Sequence, residues 1–305
     1  MIDLDATLEK IQDNQWGLGD FDWDSPGAES IRPDQRDALK QFMGDLVWIE
    51  HIGARGFAAL AAKAEDPTLA EIYAWFHAEE QRHANAELAL MRRWGMVADD
   101  EIPEPDVTMR VVVEWLDRNA ETMPLGGLST LIAMLEVCLD GALVTFLLDE
   151  VDDPLCHDVF AHINADESRH LAVDFHVMEM LGMRPWVRES LRLAASVANP
   201  RLLLGIALFI PVIGQVREKV EGMGLSADRL HRAIRRFDEV GSRSPYTRRY
   251  LPYVVLRQHA RLVVDRRQPY GAIADRLGQL TRHVPKRVLG PLPEWVDSLT
   301  SRPTA

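Results

Sequence analysis

One five-residue pattern occurs twice in the chain, as Glu79-Glu80-Gln81-Arg82-His83 and as Asp166-Glu167-Ser168-Arg169-His170. A helix turns about 100° per residue, so Glu80 with His83, and Glu167 with His170, project from one face a single turn apart. Each pair can hold one metal ion. A lone Glu-x-x-His is expected by chance in a chain with 10 histidines, so the duplication and its surroundings carry the argument. In an antiparallel helix hairpin, residues equidistant from the turn lie at one level. Glu65-Asp66-Pro67 lies midway between Glu50 and Glu80, and Asp152-Asp153-Pro154 lies midway between Glu136 and Glu167. Two hairpins therefore each set an extra glutamate opposite a Glu-x-x-His pair. The result is four carboxylates and two imidazoles at one level of a four-helix bundle, enough ligands for two irons. Glu136 lies within the apolar run 131–139 and Glu50 directly follows Leu46-Val47-Trp48-Ile49, where an ionised carboxylate is costly unless paired or metal-bound.

The remaining pattern predicts an all-α chain. Alternating Val, Ile and Thr runs are missing, while apolar residues recur at spacings of three and four. Residues 1–33 read as an irregular segment rich in turn formers and aromatics, among them Trp16, Trp23 and Pro26. Helices are expected from after Pro33 to Lys63, from Thr68 to Trp94, from Val107 to Thr122, from Leu128 to Val151, and from Leu155 to Leu181 with Gly182 as the stop. Residues 34–183 thus form the bundle. Residues 184–305 read as a C-terminal helical extension packed on it, broken at Pro200, Gly222-Met223-Gly224, Gly241 to Pro245 and Pro269.

Charge narrows the function. The chain has 305 residues with 34 Lys+Arg against 47 Asp+Glu, a net −13, which argues against a nucleic-acid binder because phosphate neutralisation needs a basic surface. Residues 1–183 balance at −25 and residues 184–305 at +12, so the basic part is expected to pack on the acidic part of the same chain or of a dimer mate; docking of an acidic partner is the alternative. The apolar run from Leu202 to Ile213 is too short to span a bilayer and reads as a buried helix. Cys138 and Cys156 lack zinc or redox spacing, and the N-terminus has no basic stretch leading into an apolar core, so a reducing cytoplasm is the expected compartment.

In these motifs, across about residues 36–182, the chain resembles the ferritin-like di-iron carboxylate superfamily, whose pattern is one Glu from each of two helices and Glu-x-x-His from the other two. The resemblance implies that Glu50, Glu80, His83, Glu136, Glu167 and His170 are the metal ligands, with Glu80 or Glu136 bridging. It implies further that Asp166 accepts from the outer nitrogen of His83 and Glu79 from that of His170, with Arg82 and Arg169 pairing with carboxylates nearby.

Such a donor set suits two irons, or a manganese and an iron, reacting with dioxygen. Among the subfamilies, a tyrosyl-radical subunit of ribonucleotide reductase is expected to have tyrosine where this chain has Glu87, and an iron-storage ferritin ends at the bundle. The chain resembles acyl-carrier-protein desaturases in the wording of both motifs and in Gly44-Asp45, but has Leu139 and Asp140 in place of their threonine. It resembles p-aminobenzoate N-oxygenases in size; their extra histidine corresponds to Ile163, with His162 one residue away as a candidate extra ligand. Asp140, one turn beyond Glu136, is a candidate proton relay or a structural partner of Arg82 or Arg169.

The expected function is a di-iron, dioxygen-dependent oxidoreductase (a desaturase, hydroxylase or N-oxygenase) acting on an apolar or carrier-bound acyl substrate. Electrons would come from a separate reductase or ferredoxin, and a homodimer is expected. The alternative is a non-catalytic iron-binding or ferroxidase protein.

Overall fold

Aspartate followed by proline starts the second helix of each hairpin. Asp66 accepts from Leu69 N at 3.0 Å and Asp153 from Leu155 N at 3.1 Å, while Pro67 and Pro154 occupy first-turn positions where no backbone donor is needed. A computed structural model describes residues 2–184, 218, 228–265, 267, 269–281, 283 and 285. Among them are nine α-helices and no strand: α1 (Leu4–Asp13), α2 (Arg36–Ala61), α3 (Pro67–Arg93), α4 (Val107–Asn119), α5 (Leu125–Glu150), α6 (Pro154–Met183), α7 (Asp228–Gly241), α8 (Leu251–Val264) and α9 (Pro269–Thr281).

Helices α2 and α3 form one hairpin and α5 and α6 the other; α2 then packs on α5 and α3 on α6, closing a four-helix bundle. Trp48, Phe57, Tyr73, Phe76 and Phe160 are fully buried in it, each contributing roughly 1.5–3 kcal/mol by leaving water. Arg93 and Trp94, at the far end of the first hairpin, reach the buried Asp153 carboxylate at 3.0 and 2.8 Å, so the turn of the second hairpin is tied to the first. Gly95 ends α3 with a φ of 63°, a left-handed conformation that costs a side-chain-bearing residue more. No helix among the described residues is long and apolar enough to cross a membrane.

Two sequence expectations need correction. The segment 1–33 is not irregular throughout, because Asp3 caps α1 and Leu4, Leu8 and Ile11 turn one apolar face inward. That spacing was present in the sequence, but a single ten-residue stripe was outweighed by the turn formers after it. Gly182 does not stop α6, which runs one residue past it. A Cβ there would stand 2.3 Å from the Tyr246 carbonyl oxygen, so this glycine serves close packing against the turn before α8. Beyond the bundle, α7 and α8 pack on α5, and Arg257 and Arg261 pair with Asp238 within the C-terminal part itself. The breaks expected at Gly241 to Pro245 and at Pro269 coincide with the end of α7 and the start of α9; Pro200, the run 202–213 and Gly222-Met223-Gly224 lie outside the described residues.

Candidate metal centre

The bundle brings six acidic and imidazole side chains from four helices to one level. Glu50 comes from α2, Glu80 and His83 from α3, Glu136 from α5, and Glu167 and His170 from α6; all six are buried. His83 Nδ1 lies 3.1 Å from Glu167 and 3.4 Å from Glu50, and His170 Nδ1 lies 3.0 Å from Glu80, 3.6 Å from Glu167 and 3.8 Å from Glu136. The side chains fall into two groups whose facing donor atoms lie within 4.8 Å of one another: Glu50, Glu80, His83 and Glu167, and Glu80, Glu136, Glu167 and His170. Glu80, one of the two carboxylates expected to be shared, belongs to both groups, as does Glu167, whereas Glu136 belongs to one.

These residues fit a metal pair. Glu80 Oε1, both Glu136 oxygens, Glu167 Oε1 and the Nδ1 atoms of both histidines are buried without a hydrogen-bond partner of good geometry. They approach one another yet do not satisfy one another, as donors aimed at common ions would. Gly53, one turn after Glu50, leaves the room that Glu80 occupies: a Cβ at Gly53 would stand 2.0 Å from Glu80 Oε2.

The outer nitrogens are held as metal-ligating histidines require. His83 Nε2 donates to Asp166 and His170 Nε2 donates to Glu79, each at 2.9 Å, which turns both Nδ1 atoms inward. Arg169 binds both outer carboxylates, and Arg82 lies 3.4 Å from Asp166 and 3.7 Å from Glu79. The N-terminal segment completes this layer: Gln15 donates to Glu79 at 2.7 Å, and Trp16 donates to Asp166 at 2.8 Å while Arg82 lies over its ring. The sequence marked Trp16 only as one of several aromatics in this segment and gave no sign of Gln15, because their contacts are made across long stretches of chain.

Burial alone would drive both imidazoles neutral. In the metal-free chain, the facing carboxylates of Asp166, Glu167 and Glu50 at His83, and of Glu167, Glu79 and Glu80 at His170, favour the protonated rings, overcome that and raise both well above 6.5. Burial raises Glu50, Glu80 and Glu136, in each case reinforced by the charge of Glu167. Glu167 itself is brought down to about 2: its burial is outweighed by His170 and His83. The imidazolium charges thus stand where metal charge would otherwise be.

Each motif extends one turn further than the sequence reading took it. His83 is followed four residues on by Glu87 and His170 by Asp174, both fully buried. Asp174 accepts from Tyr73 and from Ser129, each at 3.0 Å, whereas neither Glu87 oxygen has a partner. The repeated histidine-to-acid spacing was the signal that could have found them. His162 is not part of the centre: its ring is half-exposed against Trp16 and Phe21, with Nδ1 bonded to the Asp158 carbonyl at 2.9 Å. The one-residue offset from Ile163 is kept because α6 is regular there. Asp140 falls on α5, and its side chain, like those of Leu139 and Leu143, lies outside the described residues.

A cavity of about 30 Å³ adjoins the centre, lined by Glu50, Glu80, Glu87, Glu136 and Glu167 with apolar side chains including Leu46 and Ile132. Larger cavities of about 520 and 400 Å³ lie along the chain's C-terminal turns, and none of the six residues lines them.

No family model matches the chain, and no curated protein matches it. Among solved structures, two variants of an R2-like ligand-binding oxidase with an aerobically reconstituted Mn/Fe cofactor are similar at TM-score 0.52 and 14% identity; one alignment covers 78% of this chain and 91% of the other, the second 77% and 91%. A protein assigned as a class I ribonucleotide reductase from Bacillus halodurans is similar at TM-score 0.51 and 13% identity, over 73% of this chain and 92% of that one. Four long helices, their pairing and these likenesses agree: the chain has a ferritin-like fold.

Proposed function

We propose that this chain is a di-metal oxidoreductase holding two irons, or a manganese and an iron, that uses dioxygen to oxidise an apolar organic substrate. Glu50 and His83 would hold one ion and Glu136 and His170 the other, with Glu80 and Glu167 shared. The observation that carries this reading is the convergence of six buried side chains, five of them with an unsatisfied donor atom, whose two imidazoles are each locked from behind by a carboxylate. A bound pair of this kind supplies electrons to dioxygen in a site shielded from water. The chain's own part is to orient the donors: Asp166 and Glu79 keep the Nδ1 lone pairs inward, Arg82 and Arg169 balance the outer carboxylates, and Phe57 and Phe76 pack on His170 to exclude water. Desaturation, hydroxylation and N-oxygenation all remain within this chemistry, with an apolar or carrier-bound acyl substrate, electrons from a separate reductase or ferredoxin, a cytoplasmic location, and a homodimer through the basic residues 184–305.

The small cavity favours a second reading, a ferroxidase or iron-binding protein, since about 30 Å³ admits a water-sized ligand and not an acyl chain. One experiment separates the two. Metal content per chain is measured after expression with iron, and the reduced protein is exposed to dioxygen while its visible spectrum is recorded and fatty acyl groups and aryl amines are offered. About two metals with turnover of an added organic molecule support the oxidoreductase; iron oxidation without organic turnover supports the second reading, and absence of bound metal refutes both.

A further inference from the structure

Leu171, Phe175 and His176 recur at helical spacing on a face of α6 other than the one that carries Glu167 and His170, and with α7 and Ile2 they enclose a cleft of about 400 Å³. Small-molecule sites run from roughly 300 to 1,000 Å³. The apolar part of the cleft is made by Phe175 and Phe237, whose ring centroids are 5.4 Å apart, with Leu171 and Val240 beside them. His176 is only 7% exposed, and its Nδ1 accepts from Ile2 N at 3.2 Å. Burial holds the ring below its usual 6.5, so the neutral imidazole carries its proton on Nε2, which has no partner among the described residues. Arg236 on α7 and Arg243 just beyond it line the rim; both are exposed, and neither guanidinium makes an ion pair or hydrogen bond among the described residues. Glu179, the acid in the lining, is already engaged by the Ser244 hydroxyl at 2.9 Å. The charged groups and the ring nitrogen left unengaged are therefore all donors. A molecule seated there must bring acceptors and negative charge to satisfy them.

We propose that this cleft is a second binding site, for a small organic anion: a carboxylate held by Arg236, Arg243 and His176 Nε2, on an apolar, ring-sized body packed against Phe175 and Phe237. Two guanidinium groups outweigh the single Glu179 charge, and their planar forks match a carboxylate better than a neutral group. None of the six candidate metal ligands lines the cleft, so the site stands whether or not the metal pair is bound.

The probe is 2-naphthoate, with the neutral 2-naphthamide as its isostere. Both are titrated by calorimetry into the full chain, metal-free and iron-loaded, and naphthoate is then titrated into three variants. These are Arg236→Ala with Arg243→Ala, His176→Phe, and Arg232→Ala with Arg235→Ala; the last pair is exposed on α7 outside the lining. The expected result is about one naphthoate per chain with or without iron, and naphthamide bound at least about tenfold more weakly. Affinity should fall about tenfold or more without Arg236 and Arg243, fall about tenfold in His176→Phe, the equivalent of one hydrogen bond, and stay unchanged without Arg232 and Arg235. Absence of saturable binding, or equal affinity for the amide, overturns the proposal. Equal losses in the two arginine pairs also overturn it, because the anion would then be drawn to a basic helix in general. Binding that requires iron places naphthoate on the metal pair and overturns it as well. If His176→Phe fails to fold, the exposed arginine pairs decide.

Discussion

The two copies of the motif share their wording and differ in what surrounds them. On α6, His170 is packed by Phe57 and Phe76, and the acid one turn on, Asp174, has one oxygen held by Tyr73 and Ser129 and its other oxygen without a partner. On α3, His83 stacks with Trp16 from the N-terminal segment, and the acid one turn on, Glu87, faces a cavity with no partner. A pseudo-symmetric donor set can thus be built with one closed side and one open side. The apolar and hydroxyl neighbours that decide which is which come from outside the repeat.

The largest effects should fall on the residues common to both halves. Glu167→Ala or Glu80→Ala is expected to reduce metal content from about two per chain toward zero, whereas Glu50→Ala and Glu136→Ala should each retain about one. Equal losses in all four variants, measured by elemental analysis, would erase the distinction between shared and separate carboxylates.

Acidity tests both halves together. Each histidine carries a proton that a metal must displace, so affinity should rise with pH by up to about tenfold per unit for each proton released. Because folding raises both histidines, the stability they lend the metal-free chain is complete below about 6.5 and is lost as pH climbs through their folded values. Metal-free protein should therefore lose stability toward alkaline pH while metal-loaded protein does not, as thermal melts across pH would show.

Gly53→Ala probes the junction between the halves. The added Cβ would displace the flexible end of Glu80, so a roughly tenfold or greater loss of metal affinity is expected with little change in the melting temperature of the metal-free protein. A large fall in that melting temperature would show that the backbone moves instead.

Asp174 sharpens the contrast with Glu87. Burial raises it to about 7 against the opposing hydrogen bonds from Ser129 and Tyr73, so between about 4 and 7 the folded state binds more protons than the unfolded one and this site costs stability as pH rises. Asp174→Asn removes that cost, and the stability difference should move in the variant's favour over this range by on the order of 1 kcal/mol or more. A difference independent of pH would remove Asp174 from the argument. The smallest effect is expected at His162→Ala, with unchanged metal content, because that ring lies half-exposed on the far side of Trp16.

Much of the centre was legible because helix geometry makes it a matter of counting. Four residues on two helices follow from the i, i+3 spacing, and Glu50 and Glu136 follow from reflection across the Asp-Pro turns, which the caps at Asp66 and Asp153 hold in place. The same counting also reaches Glu87 and Asp174, one turn further on. It does not reach Gln15 and Trp16, which approach Glu79 and Asp166 across the bundle from the N-terminal segment, nor does it distinguish His162 from a ligand without knowing that α6 stays regular.

Sequence by itself determined the four bundle helices, the hairpin turns and the level at which the six side chains meet, since periodicity and local capping are properties of neighbouring residues. Only the tertiary structure decided which carboxylates are shared, which buried acid meets hydroxyl groups and which faces a cavity, because those depend on side chains approaching from elements far apart in the chain. A close approach such as Glu80 over Gly53 has no trace in local spacing and arises when α2 and α3 pack.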